Sequence, residues 1–344
     1  MDVAHDDLPA VLAARDARRR GARAALRAGY VRAASGVHVV TGTDLDDPDV
    51  RTRVAMAAVP DEVTLGGWAA ARLHERAALA AARAARGGRP GRRQADPMAW
   101  FDGRDDRVRG GQGPVLLLAP PEVRLEPGPG RRLLRSRVAA GERVVLEGLP
   151  ATSALRTAFD LARLGPETEA VVALDRLRAL DLLDPGDLEE LIRSRRRWRG
   201  TVAARRALEL SAGGVESPQE TRLRMVWLAA GLPAPLCNAV VLDPDHRFVA
   251  RVDLLDPTSG LVGEYDGAVH ADADRRSSDA GRQERLCSLG MEVVRATSAD
   301  LVSATARARW QHRARLALRR ALGRRADARW LLGAVDRHGP RSAV

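Results

Sequence analysis

Acidic residues stand inside the most apolar stretches of this chain. Asp253 lies within Phe248-Val-Ala-Arg-Val-Asp-Leu-Leu255, and eleven positions later Glu264 interrupts the run Leu261-Val-Gly-Glu-Tyr265, followed at once by Asp266 and Gly267. Both runs read as strands, the first buried on both faces of a sheet. An ionised carboxylate in such a place costs on the order of several kcal/mol unless a counter-charge neutralises it. A group of them suggests a bound cation, so the segment Arg251 to Asp300 is where a site is to be sought.

Between the two runs, Asp256-Pro-Thr-Ser-Gly260 has turn chemistry, so the second strand should return antiparallel and bring Glu264 level with Asp253. Side chains alternate along a strand, which puts Glu264 and Asp266 on one face and Tyr265 on the other. Three carboxylates could then converge on one ion. A fourth, Glu220, precedes the stripe Leu223, Val226, Trp227 and Ala230 by helical spacing and so faces the sheet. Ser217 and Glu220 also form a Ser-x-x-Glu capping box with Pro218 at the first helical position, and the two roles are compatible. Hard oxygen ligands suit Mg2+ or Mn2+, and the chemistry they imply is phosphodiester hydrolysis, with His270 as a proton shuttle.

The chain has 344 residues, enough for two or three cores, and its net charge of +11 is carried by arginine alone because no lysine occurs. That balance suits a partner bearing many phosphates. Phe, Tyr and Trp make up only 3 % of the residues, which leaves few stacking platforms for unpaired bases and favours duplex DNA gripped through arginine forks over RNA. Cys237 and Cys287 have no neighbours at metal-ligand spacing and read as small buried hydrophobes. No apolar run approaches the ~18 residues of a membrane span, and the acidic start is unlike a signal segment, so a cytoplasmic protein without membrane contact is expected. Whether it pairs with itself as a homodimer or with a toxin-like partner stays open.

Along the chain, Asp7 to Val40 outlines a winged helix. A short helix is followed by an arginine-rich helix from about Arg15 to Ala28, presenting Arg18, Arg19, Arg20 and Arg23, and then by strands Tyr30 to Ala33 and Val37 to Val40. Residues 61 to 84 read as helical and Gly87 to Pro97 as a loop. A strand pair follows from Val115 to Leu118 and Val144 to Leu146, with prolines between. Pro150-Ala-Thr-Ser153 opens a helix with an apolar face, and helices near Pro166 to Ala179 and Pro185 to Arg196 come next. Arg193 to Arg206 holds seven arginines among fourteen residues and reads as a basic linker helix. From Gly213 onward helices alternate with strands Val240 to Leu242, Phe248 to Leu255, Leu261 to Tyr265 and Glu292 to Ala296.

The residues also carry a resemblance. Val252-Asp253, then Gly263-Glu264-Tyr265-Asp266-Gly267-Ala-Val-His270, then Asp279, Arg282, Leu286, Gly290 and Val293-Val294-Arg295, resembles the very-short-patch-repair-like endonuclease domains of the PD-(D/E)XK, restriction-endonuclease-like superfamily. It covers about residues 216 to 302. The resemblance implies an α/β domain with a mixed sheet flanked by helices. In it Asp253 and Glu264 would be the metal ligands, Asp266 would occupy the position usually held by lysine, Glu220 and His270 would be accessory groups, and Arg282 and Arg285 would meet DNA. Asp266 cannot supply the positive charge of that lysine. Gly263 stands where a β-branched residue is usual and reads as a bulge beside the site; Met291 replaces a common aromatic.

Residues 7 to 40 together with Gly148-Leu-Pro-Ala-Thr-Ser-Ala-Leu-Arg-Thr-Ala-Phe-Asp-Leu-Ala162 resemble AbiEi-type antitoxin-like proteins of actinobacteria. The expected organisation is a winged helix over 1–45, a mostly helical, α+β antitoxin-like region over 46–212, the endonuclease-like domain over 213–325 and a tail over 326–344. Two functions fit: a metal-dependent DNA endonuclease with an N-terminal reader, or a non-catalytic DNA-binding regulator that keeps a nuclease-like scaffold.

Overall fold

A computed structural model describes residues 9–85, 100–105, 111–267, 273–325 and 328–333. The chain forms two compact units, the first from residues 1–165 and 180–205, the second from 166–179 and 206–344. Both are α/β, with sheets flanked by helices. The segment expected to stand alone as 1–45 falls in the same unit as the residues that follow it, and the α/β region expected from 213 takes in residues 166–179 and 206–212 as well.

The first unit opens with β1 (Val11–Ala13), α1 (Ala14–Arg19), α2 (Arg23–Gly29), β2 (Tyr30–Ala34) and β3 (Val37–Val40), the strands ordered β1-β3-β2. The single helix expected over Arg15 to Ala28 is therefore two. Gly21 adopts φ +68°, a conformation glycine reaches without steric cost, and buried Ala17 and Ala22 bracket the break. Leu12, Ala17 and Tyr30 form the small core there, with Leu26 and Val40 against it. Val11 to Ala13 is a strand where a short helix was expected, pairing with Val37 to Val39.

The same unit then builds α3 (Pro48–Met56), β4 (Thr64–Gly66), α4 (Gly67–Ala85), β5 (Val115–Ala119), β6 (Arg131–Arg135), β7 (Arg143–Leu146), β8 (Leu149–Thr152) and α5 (Ala154–Leu164) into a sheet ordered β6-β5-β4-β8-β7. The two runs expected to pair, now β5 and β7, share this sheet but are not neighbours: β5 lies between β4 and β6, and β7 pairs with β8 across Glu147 and Gly148. Both turn residues have positive φ, as a two-residue hairpin with the twist of its strands requires. β4 and β6 were unforeseen. Ser153 caps α5 by accepting the N–H of Arg156.

α7 (Pro185–Ser194) ends inside the arginine-rich stretch, which turns at 195–200 instead of continuing as one linker helix; α8 (Thr201–Leu210) takes up its last residues. Arg195 folds inward. Its guanidinium lies 4.4 Å from the Trp198 ring, those of Arg156 and Arg163 lie 5.0 and 5.3 Å from it, and Glu142 and Asp160 supply the counter-charges.

In the second unit α6 (Glu167–Ala179) packs beside α9 (Pro218–Ala229), and a five-stranded sheet runs in the order β12-β11-β10-β9-β13. Its strands are β9 (Leu236–Leu242), β10 (Phe248–Asp256), β11 (Leu261–Tyr265), β12 (Glu292–Ala296) and β13 (Leu331–Leu332). All pairs are antiparallel except β11 with β12. One face carries Leu254, Leu261, Val294 and Ala296 against Leu223, Val226 and Trp227 of α9 and Trp310, Ala314 and Ala317 of α12 (Ala304–Gly323). The other carries Leu255 and Val262, covered by Leu286 of α10 (Ala273–Ser288) and by Met291. Buried Asp175 ties α6 into this unit: it accepts from Ala212 N, Thr221 Oγ1 and Arg224 Nη2 at 2.7, 2.9 and 2.7 Å.

Gly263 is not a bulge. It pairs regularly with Leu254 and Val294, and a Cβ built on it would stand 3.0 Å from the Trp227 ring. Glycine makes room for the indole.

Candidate functional site

Asp256 closes β10 by accepting from Thr258 N at 3.0 Å and Ser259 Oγ at 2.5 Å, and Gly260 turns the chain with φ +76°. β11 then returns antiparallel, pairing Leu254 with Gly263 and Leu255 with Val262. One step further in that register puts Asp253 opposite Glu264, on the face that α10 covers. The ladder stops there. The Asp253 Oδ2 accepts the Tyr265 N–H at 2.7 Å, so a side chain takes the place of a strand carbonyl.

The row extends across four strands. β9 pairs Ala239 with Val252 and Cys237 with Leu254, which sets Asn238 opposite Asp253, and β12 pairs Arg295 with Glu264. Asn238 has φ +49°, a conformation that asparagine tolerates better than most residues. Its Nδ2 donates to Gly214 O at 2.8 Å and to Glu220 Oε2 at 2.7 Å. Glu220 also accepts the Glu216 N–H at 2.9 Å, while Ser217 Oγ accepts the Glu220 N–H at 3.2 Å. Ser217 is thus the cap, while the Glu220 carboxylate reaches the N–H one residue before it, so only half of the expected capping box forms, and the Glu220 side chain joins Asn238 beside the site.

Glu264 is buried, and its Oε2 accepts from Arg282 Nη2 at 3.1 Å. Arg295 Nε approaches the same oxygen at 3.8 Å, and Arg295 Nη1 lies 3.9 Å from Asp266 Oδ2. Asp266 is 57 % exposed. Tyr265, on the opposite face, packs against the core around Trp227. Among the described residues, no group of three or more His, Cys, Asp or Glu side chains is placed to hold a metal ion. Asp253 and Glu264 are therefore a pair, and the third carboxylate is turned toward Arg295. Two carboxylates and a shell of water are a common donor set for Mg2+.

Burial raises the pKa of Asp253, and the Glu264 charge raises it further, against the pull of the Tyr265 N–H and of Arg282 and Arg251. Burial likewise raises Glu220, with the Asp253 charge adding to it. Beside them the Cys237 thiol is pushed up to about 11, chiefly by burial, and stays neutral at physiological pH. Cys287, expected to be buried, is exposed. His270 lies outside the described residues.

Of the remaining expected site residues, Arg282 is half-buried over Glu264 and Arg285 is exposed one turn nearer the helix end. Arg18, Arg19, Arg20 and Arg23 are exposed, and among the described residues none makes an ion pair. Arg295 and Asn238 were not foreseen as site residues. Only the strand register reveals them.

No protein-family model matches the chain. Two curated relatives, the uncharacterized proteins MT2308 and Rv2248 of Mycobacterium tuberculosis (strains CDC 1551 / Oshkosh and ATCC 25618 / H37Rv), are each 30% identical over 184 residues, covering 52% of this chain and 66% of their own length. The chain thus spans just under two thirds of the length of the curated relatives it matches. Among solved structures, the RV2827C protein from Mycobacterium tuberculosis is similar at 20% identity and a TM-score of 0.35, over 68% of this chain and 80% of that one.

Proposed function

We propose that this chain binds duplex DNA through its first unit and hydrolyses phosphodiester bonds at the Asp253–Glu264 pair of its second, as a Mg2+- or Mn2+-dependent endonuclease. The observation that carries this reading is the pairing itself: half-buried Asp253 and buried Glu264 face each other where β10 and β11 part, with Asp253 bonded to the Tyr265 N–H. The mixed sheet with helices on both faces supports a restriction-endonuclease-like domain around it. An ion held by Asp253 and Glu264 would lower the pKa of an attacking water and offset charge on the phosphate. No lysine exists to assist. The chain's own cations at this point are Arg282 and Arg295, whose guanidinium groups can hold phosphate oxygens in pairs.

In the first unit, β1, two short helices broken at Gly21 and the β2–β3 hairpin follow the order of a winged helix. In this reading α2 enters the major groove, and Arg18, Arg19, Arg20 and Arg23 meet phosphates.

A second reading, a non-catalytic DNA-binding regulator, is favoured by one specific observation. Both Arg282 and Arg295 converge on Glu264 Oε2, so one of the two carboxylates an ion would use already has cations beside it. Incubating purified protein with supercoiled plasmid in Mg2+ or Mn2+, beside Asp253→Ala and Glu264→Ala, separates the two. The endonuclease reading expects nicking by the parent that both substitutions abolish, with duplex binding retained. Nicking that persists in both variants would sink the site assignment; duplex binding without nicking of any substrate identifies the regulator.

A further inference from the structure

Partly buried arginines of the first unit are, as a rule, matched by carboxylates. Arg72 and Arg76 share Asp49 at 2.7 Å each, Arg156 meets Glu142 at 2.8 Å and Asp160 at 2.9 Å, and Arg163 meets Asp160 at 2.7 Å. Two arginines break the pattern, and both line the same pocket. It has a volume of ≈ 170 Å³ and lies among Ala33 and Ala34 of β2, Arg51 and Val54 of α3, Gln112, and Arg131 at the start of β6.

Arg51 donates to Gly103 O at 3.3 Å and to Gly113 O, and its guanidinium lies 5.0 Å from the Trp68 ring centroid. Arg131 donates from Nη2 to Val54 O at 3.1 Å. These bonds go to backbone carbonyls, which carry no net charge. Among the described residues neither guanidinium has a carboxylate within ion-pair distance; Asp46 and Asp102 act on Arg51 only from further away. Burial holds both groups below the usual arginine pKa, the direction expected where cations are desolvated and left uncompensated.

We propose that this pocket binds a dianionic phosphoryl group, as inorganic phosphate or the phosphomonoester end of a small molecule. Two fixed positive charges match a group that carries roughly −1.5 to −2 at neutral pH, whereas a phosphodiester of DNA carries only −1. Arg131 keeps its Nε and Nη1 free of any bond among the described residues, and a guanidinium fork fits phosphate oxygens in pairs. Gln112 lines the pocket as well and has an amide donor to offer, and Ala33 and Ala34 contribute only small side chains to it.

The test uses the full chain, with inorganic phosphate and glycerol 3-phosphate as probes and chloride at matched ionic strength as the control. Phosphate at roughly ten times its dissociation constant is expected to raise the unfolding midpoint of the first unit by about 3–6 °C. Arg131→Gln should abolish that rise, and Arg329→Gln, at an exposed arginine of the second unit, should leave it intact. Ala33→Glu places a carboxylate at the pocket and should raise the midpoint without any anion, while removing the response to phosphate. A larger rise with glycerol 3-phosphate assigns the site to a phosphorylated small molecule, and an equal rise assigns it to free phosphate. Three results would each overturn the proposal: no rise with either probe, an equal rise in the parent and both pocket variants, or a loss of duplex affinity in Arg131→Gln with no response to free phosphate.

Discussion

The Oδ2 of Asp253 accepts the backbone N–H of Tyr265 at 2.7 Å, so the acid that would bind metal also seals the end of a strand pair. That double duty makes the site's cost measurable. Burial, and then the Glu264 charge, raise the Asp253 pKa, and burial followed by the Asp253 charge raises Glu220. A raised carboxyl pKa means that the folded state holds the proton more tightly than the unfolded chain. Its stabilisation is complete below the ordinary carboxyl value and is lost as pH rises through the raised one. Asp253→Asn keeps an acceptor for the Tyr265 N–H and removes the charge. It should make the second unit more stable than the parent at pH 7, and the difference should shrink as pH falls below the raised carboxyl value. Urea midpoints across that range would show it; a variant less stable at pH 7 would contradict the cause assigned.

Gly263→Ala tests whether the glycine serves packing instead of a bulge. The added methyl meets the Trp227 ring at 3.0 Å, and overpacking of this kind costs about 1–3 kcal/mol. Pairing it with Trp227→Leu should return part of the loss, since the smaller side chain vacates the contact. A fully tolerated alanine would show that the indole moves freely.

Asp175→Ala leaves the Arg224 guanidinium buried without its carboxylate, 4 % exposed in its present setting. Breaking a buried pair from one side costs about 3–5 kcal/mol. Burial raises the Asp175 pKa although Arg224, the Ala212 N–H and Thr221 all oppose it. Chemical denaturation of the variant should show the loss in the transition that reports α6 and α9. A change below about 1 kcal/mol would mean that this three-way junction is dispensable.

The duplex binding proposed for the first unit should, where it occurs, depend steeply on salt. Each phosphate contact contributes close to one power of salt concentration, so Arg19→Ala and Arg23→Ala should each lower the slope by about 1 and weaken binding evenly across sequences. Fluorescence anisotropy over a salt series measures both. Unchanged slopes would remove α1 and α2 from the interface.

The second unit was the more legible half, for a physical reason. The runs Leu261 to Tyr265 and Glu292 to Ala296 are short, apolar and β-branched, with turn residues at their ends, and they became β11 and β12 at the expected bounds. The Asp256 to Gly260 turn likewise announced the antiparallel return. In the first unit the signals mislead. Arginine and alanine fill most positions from Arg15 to Ala28 and favour helix, so Gly21 is the residue that marks the break, and glycine inside a helical pattern is often tolerated. Arg131-Arg132-Leu133-Leu134-Arg135 alternates poorly and still forms β6, because its partner β5 is buried along its whole length. At the site, Arg295 was hidden because its place beside Glu264 depends on a parallel pairing between strands more than twenty residues apart, which no local pattern encodes.

The charges around Glu264 have a kinetic consequence. Arg282 and Arg295 both reach toward Glu264 Oε2, and the neighbouring thiol of Cys237 is pushed up to about 11 and stays neutral below that. Beside them stand two carboxyls, Asp253 and Glu220, that burial pushes above the ordinary carboxyl range. A rate governed by these groups should climb with pH as the acids ionise and then level off, without the falling alkaline limb that a lysine general acid would impose.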